Sequence, residues 1–159
     1  MNGDLRELYQ EVILDHAKAP RNFRFPEGAN CSAEGDNPLC GDNLTVKVVL
    51  KEDTIVDIGF QGSGCAISQA AASTMTEIVK GMNTAAVDTL FSHYHDVVMG
   101  KAEADDEVLG KLTVFAGVCD FPMRVKCATL AWHTMQHAIR DTGDSDTDSM
   151  LTDNMVTTE

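Results

Sequence analysis

Leu44-Thr45-Val46-Lys47-Val48-Val49-Leu50 alternates apolar and polar side chains, and the alternation returns as Val56-Asp57-Ile58-Gly59-Phe60 after the polar stretch Lys51-Glu52-Asp53-Thr54. Successive side chains of a strand point to opposite faces, so Leu44, Val46, Val48 and Leu50 form one apolar face, continued by Val56, Ile58 and Phe60. The reading is an antiparallel hairpin that turns at 51–54. Upstream, residues 30–34 can add a third strand, bounded by Gly28 and Gly35. Downstream, Gly62-Ser63-Gly64 ends the alternation, and an Ala- and Ser-rich run continues to Lys80 and stops at Gly81. Small side chains of this kind suit a helix packed closely against the sheet, and Cys65 would open it.

The rest of the chain reads as helices. Leu5, Leu8, Tyr9, Val12 and Ile13 recur at helical spacing, with Asp4 as a capping candidate, Glu7 three residues on and Pro20 as the stop. Val87, Leu90, Phe91, Tyr94 and Val98 form another stripe, and Val108, Leu112, Phe115 and Ala116 predict a fourth helix after acidic 103–107. Pro122 restarts the chain in a last helix whose apolar face is Val125, Ala128, Trp132, Met135 and Ile139, which turns Cys127 away from the centre of that face. Strands early and helices late give an α+β fold, a small antiparallel sheet of about three strands packed against helices. Without a repeat or a Pro- or Ser-rich linker, residues 1–142 read as one domain. The C-terminal stretch is acidic, since Asp141, Asp144, Asp146, Asp148, Asp153 and Glu159 all follow the last Arg, and disorder is expected over the tail, 143–159.

Twelve Lys and Arg against 25 Asp and Glu leave a formal charge of −13. That argues against nucleic acid, whose binding needs clustered cations, and favours a basic protein partner. No run approaches the roughly 20 apolar residues that span a bilayer, so no membrane is expected. The start, Met1-Asn2-Gly3-Asp4-Leu5-Arg6-Glu7-Leu8, lacks the apolar stretch of a secretory signal, and the cytoplasm is the expected compartment. Five cysteines in a reducing compartment suggest metal ligands or reactive thiols rather than bridges.

Cys40-Gly41-Asp42 lies in a loop between extended segments, Cys65 follows a Gly-rich turn at a helix start, and Cys127 lies on the last helix. Three thiols and one carboxylate make a tetrahedral set of the kind zinc accepts. A carboxylate is the harder and less tightly held donor, so such a site can exchange one ligand. The bland alternative for each thiol is burial as a small hydrophobe. Exposure beside Gly41 favours function for Cys40, and the helix N-terminus favours it for Cys65. Arg124 and Lys126 precede Cys127 and would offset the charge of a metal bound by three thiolates and a carboxylate. Cys31 reads as a structural or surface thiol, and Cys119 as a core one. His93 and His95 point to different sides of one helix, at the surface. His133 and His137, one turn apart, read as a solvent-facing pair, and His16 as a cap on the carbonyls ending the first helix.

The blocks Leu8-Tyr9-Gln10-Glu11-Val12-Ile13-Leu14-Asp15-His16, Asn37-Pro38-Leu39-Cys40-Gly41-Asp42, Gly62-Ser63-Gly64-Cys65-Ala66-Ile67-Ser68 and Phe121-Pro122-Met123-Arg124-Val125-Lys126-Cys127-Ala128-Thr129-Leu130-Ala131-Trp132 occur in this order. Together, over about residues 5 to 140, they resemble the SufU branch of the U-type iron–sulfur assembly proteins. The resemblance implies the SufE/IscU-like α+β fold, with zinc held by Cys40, Asp42, Cys65 and Cys127. It further implies a sulfurtransferase-like role: Cys40 accepts persulfide sulfur from a PLP-dependent cysteine desulfurase of the SufS type, with a SufBCD-type scaffold downstream. A histidine of the desulfurase would take the metal position that Cys40 vacates, and Arg124 would orient the carboxylate or the partner. The rival reading is a scaffold on which a [2Fe–2S] cluster forms at the same residues. Against it, the scaffold-type relatives carry His where this chain has Lys126, and a Leu-Pro-Pro-Val-Lys stretch absent here. The interval from Cys65 to Cys127 also resembles the longer one of the SufU branch, with the insertion expected around 97–107.

Overall fold

The computed structural model describes residues 3–38, 40–140 and 155–157. Helix α1, Gly3–Lys18, leads through a loop into strands β1, Cys31–Asn37, β2, Asp42–Lys51, and β3, Thr54–Ser63. Helices α2, Ala66–Val79, α3, Thr84–Val98, and the single turn α4, Asp106–Leu109, follow. A 3₁₀ segment, Gly110–Asp120, then leads into α5, Pro122–Arg140. β1, β2 and β3 form the expected three-stranded antiparallel sheet. Of the acidic tail, 143–154 and 158–159 lie outside the described residues, and Met155–Thr157 lie parallel to β1 as a short β4, giving the order β3-β2-β1-β4. No helix among the described residues is long and apolar enough to cross a membrane.

The hairpin turns on Glu52 and Asp53, both at positive φ (50° and 67°), between the paired residues Lys51 and Thr54. Two left-handed residues match the twist of the flanking strands, which is why two-residue turns of this type close hairpins. One face of the sheet buries Leu44, Val46 and Val48 as expected, but β3 departs from the predicted alternation. Val49 pairs with Asp57 and Leu50 with Ile55, so Val56 is skipped by a bulge. A one-residue shift exchanges the faces, which leaves Val56 exposed and buries Ile55 beside Ile58 and Phe60.

The predicted fourth helix is also corrected. Gly110, at φ 52°, ends α4 after one turn, and the chain continues as a 3₁₀ helix. Leu109, Leu112, Phe115 and Val118 are all buried. Their spacing of three is the repeat of a 3₁₀ helix, which stacks side chains i and i+3 on one side.

α5 is the hub of the molecule, lying against β1 and β2 on one side and packing with α2, α3 and the 3₁₀ segment. Its Trp132 is fully buried, stacked on Phe91 (5.5 Å between ring centres) and tilted against Tyr94 (5.3 Å). Tyr94 is itself buried and donates its hydroxyl to the Ala128 carbonyl at 2.8 Å, tying α3 to α5 next to Cys127. Burial raises the Tyr94 pKa, keeping the hydroxyl protonated as a donor.

α1 is docked through a polar contact that the helix-end role expected for His16 did not foresee. His16 is buried, its Nδ1 pairs with Ser73 Oγ on α2 at 2.7 Å, and its Nε2 faces Glu77 at 3.8 Å. Ser73 Oγ also accepts the Arg21 backbone N–H at 2.8 Å. Burial, aided by Arg21, lowers the His16 pKa despite the opposing pull of Glu77 and Asp15. A lowered folded-state pKa means the neutral ring is the docked form. Its contribution is therefore fully present above the unfolded value near 6.5 and is lost as pH falls through the folded one. Denaturant melts across this range should show stability falling on the acid side, by up to about 1.4 kcal/mol per pH unit for one proton. His16→Gln should flatten that slope, and parallel slopes for the two proteins would contradict the assignment.

Candidate metal centre

Three chain reversals meet at one end of the sheet. The link between β1 and β2 is a tight turn in which the Asn37 carbonyl accepts the backbone N–H groups of Cys40 (3.2 Å) and Gly41 (2.9 Å). Gly41 sits at φ +73°, a conformation strained for residues with a side chain. The turn leaves Cys40 half-buried and places Asp42, fully buried, as the first residue of β2 opposite Asn37. At the exit of β3, Cys65 caps α2 and its sulfur accepts the Ser68 N–H at 3.4 Å. Cys127, fully buried, comes from the start of α5.

The ligand atoms of Cys40, Asp42 and Cys127 all lie within 4.8 Å of one another. The sulfurs of Cys40 and Cys127 are 3.3 Å apart although 87 residues separate them in sequence. Cys65 Sγ stands outside this three-way grouping. The Cys65 backbone N–H donates to Asp42 Oδ1 at 2.8 Å. Asp42 Oδ2 is buried with no hydrogen-bond partner among the described residues. A buried oxygen without a donor is costly. Set among thiols, it suits a cation, and the donor set can hold one.

The thiols do not titrate alike. The Cys65 pKa falls to about 6, first because the Cys127 thiol donates to it, then through the Ser68 and Ile67 N–H groups at the start of α2. Burial and the charge of Asp42 oppose the shift without cancelling it. Cys127 moves the other way: its proton is shared with Cys65, and burial, Cys40 and Asp42 also hold it on. Arg124 is exposed, and its pKa is raised by Cys65, Cys127 and Cys40.

Other sequence candidates fall elsewhere. Cys31 is buried in the core at the start of β1. Cys119, expected in the core, is instead half-buried at the end of the 3₁₀ segment, its sulfur 3.9 Å from Asp120 Oδ1, because the helix that would have turned it inward does not form. His95 and His133, expected at the surface, are half-buried with rings 5.9 Å apart across the α3–α5 contact, both against Phe91. Burial, then His95, lowers the His133 pKa. His93 and His137 are likewise half-buried, so the solvent-facing pair is not found. No group of three ligating side chains gathers around the histidines among the described residues. Two contributors were not foreseen. Asn37, a buried polar residue, has its Nδ2 3.7 Å from Cys127 Sγ. Gly64 is the other, since a methyl there would press on the Asp42 carboxyl at 2.6 Å. The Asn37-Pro38 step and the Gly–Ser–Gly run were visible in sequence, but only as turn signals.

Residues 8–128 match the family model described as the NifU-like N-terminal domain. The chain is 38% identical over 136 residues to the iron–sulfur cluster assembly scaffold protein IscU of Streptococcus pyogenes, covering 86% of this chain and 85% of the relative. It is 36% identical over 138 residues to the zinc-dependent sulfurtransferase SufU of Bacillus subtilis, covering 87% and 93%. Among solved structures, it superposes with a TM-score of 0.77 and 36% identity on a protein from Fervidobacterium islandicum described as an iron–sulfur cluster assembly scaffold for the SUF system, covering 84% of this chain and 98% of that one.

Two outcomes follow from the geometry. In metal-free protein, iodoacetamide labelling of Cys65 should rise as pH climbs through about 6, while Cys127 stays protected. Peptide mapping that found Cys127 labelled first would reverse the assignment. Gly64→Ala should displace the Asp42 carboxyl and weaken metal retention on the order of 10–100-fold, as losses of a supporting contact do. Chelator competition would measure it, with circular dichroism confirming an intact fold.

Proposed function

The chain belongs to the NifU-like N-terminal domain family, and on that premise we propose that it is a zinc-dependent sulfur acceptor of iron–sulfur cluster assembly. Cys40, Asp42, Cys65 and Cys127 hold the metal, and Cys40 takes persulfide sulfur from a PLP-dependent cysteine desulfurase of the SufS type. The observation that carries the metal reading is the unpartnered, buried Asp42 Oδ2 set among thiols. The likeness to a zinc-dependent sulfurtransferase over 87% of the chain supports zinc as that metal.

When bound, zinc keeps its thiol ligands deprotonated at neutral pH. The chain's own residues decide which thiol reacts. Cys127 is fully buried; Cys40 and Cys65 are both half-buried, but Cys65 caps α2 and accepts the Ser68 N–H, whereas Cys40 sits on the Gly41 turn. Of the two half-buried thiols, Cys40, which caps no helix, is the one assigned to meet the donor. Its sulfur attacks the outer sulfur of the donor's persulfide, a new S–S bond forms on Cys40, and the donor's S–S bond breaks to release its thiolate. The exchange is isoelectronic and needs no further oxidant. Asp42, Cys65 and Cys127 stay in place, and Arg124, whose pKa the thiols raise, offsets the negative charge of the set. A SufBCD-type scaffold is the expected recipient of the sulfur.

The second reading, a scaffold for a [2Fe–2S] cluster as cargo, is favoured by the name and 38% identity of the S. pyogenes relative. The same thiols could ligate such a cluster. The readings part on isolation. Colourless protein with about one zinc supports sulfur transfer, while brown protein with labile sulfide supports the scaffold. Incubation with desulfurase and cysteine, followed by mass spectrometry, should add one sulfur on Cys40. Cys40→Ser should abolish it, and Cys31→Ser and Cys119→Ser should match the parent. Persulfide on Cys119 in a still active Cys40→Ser protein would overturn the mechanism.

A further inference from the structure

Among the described residues, the two most exposed large apolar side chains are Phe121, at 60%, and Met123, at 59%. They flank Pro122 at the start of α5, and their backbone is well held. The Phe121 carbonyl accepts the N–H groups of Arg124 (2.7 Å) and Val125 (3.3 Å), and the Met123 carbonyl lies 3.8 Å from Cys127 Sγ. The pair is thus one helical turn from Cys127, whose sulfur is 3.3 Å from that of Cys40. Adjacent apolar side chains held in water on an ordered turn mark a contact surface. The nearby charges are Asp120, Arg124 and Lys126, two cations to one acid on a chain whose net charge is −13. A second copy with the same net charge is electrostatically disfavoured as the occupant. A body with an apolar pocket edged by carboxylates complements the patch.

We propose that Phe121 and Met123, flanked by Arg124, form the docking surface for the protein that donates sulfur to Cys40, inserting into an apolar pocket of that donor with an acidic rim. The inference rests on Cys40 being the acceptor. A sulfur reaching half-buried Cys40 must arrive on a body that also covers the start of α5. An apolar seal at that contact keeps water from the transferring sulfur.

The test uses the full chain with its metal. The double variant Phe121→Ser/Met123→Ser is compared with the parent for the concentration that half-saturates desulfurase stimulation, and for loading of Cys40 by inorganic polysulfide, which needs no docking. Expected is a rise of about tenfold or more in the half-saturating concentration. Polysulfide loading, metal content and circular dichroism should stay unchanged. Phe121→Leu/Met123→Leu, which keeps the apolar surface, should stay within a few-fold of the parent. An unchanged half-saturating concentration for the Ser variant overturns the docking surface while leaving Cys40 as acceptor. A parent dimer in sedimentation that the Ser variant loses overturns it in favour of self-association. Failure of the parent's Cys40 to gain sulfur from either donor overturns the acceptor reading, and the docking proposal with it.

Discussion

A carboxyl group with no exposed surface governs this end of the molecule. Asp42 can be buried at the head of β2 because one of its oxygens accepts the Cys65 N–H. Among the described residues the other oxygen has no donor, and a carboxyl oxygen of Asp42 lies within 4.8 Å of the Cys40 and Cys127 sulfurs. Burying a polar atom without a partner costs free energy that the surrounding structure must offset. Each local feature nearby serves this placement: the Gly41 turn that brings the chain into β2, the absent side chain at Gly64, and the capped start of α2. On the proposed metal reading, a donor set held in this way is arranged before any ion arrives, so little chain ordering remains to oppose binding.

The fourth member of that end, Cys127, comes from far away in sequence, and its position depends on how α5 is seated. Trp132, Phe91 and Tyr94 pack between α3 and α5, and the Tyr94 hydroxyl fixes the carbonyl of Ala128, the neighbour of Cys127. The aromatic core is therefore also the alignment device of the site. The same helix shows how one element serves two environments. Its first turn carries exposed Phe121-side residues and Arg124 at the mouth of the site, while from Cys127 to Ala131 it is buried.

Division of labour among the thiols follows from where each sits relative to backbone N–H groups and solvent. Cys65 is stabilised as an anion by the start of α2, and Cys127 keeps its proton because it donates to its neighbours in a buried setting. Cys40 and Cys65 are both half-buried, but Cys40 sits on a turn and caps no helix.

Periodicity made much of the fold legible. Alternation at 44–50, the break at Gly62-Ser63-Gly64 and the restart at Pro122 correspond to β2, the start of α2 and the start of α5. These features depend on side chains a few residues apart, which a sequence displays directly. Motif blocks also brought Cys40, Asp42, Cys65 and Cys127 together as one candidate set, and the structure places the ligand atoms of three of them within 4.8 Å of one another. What escaped the sequence was decided by partners distant in the chain. The bulge at Val49 and Leu50 exchanged Val56 for Ile55, the 3₁₀ run replaced a helix and left Cys119 half-buried, and contacts with α2 and α3 left His16 buried and His133 half-buried. The opposite titration of Cys65 and Cys127 belongs to the same class. Two identical side chains differ only through the donors, charges and solvent that tertiary packing sets around each, and those surroundings come from strands and helices up to 90 residues apart.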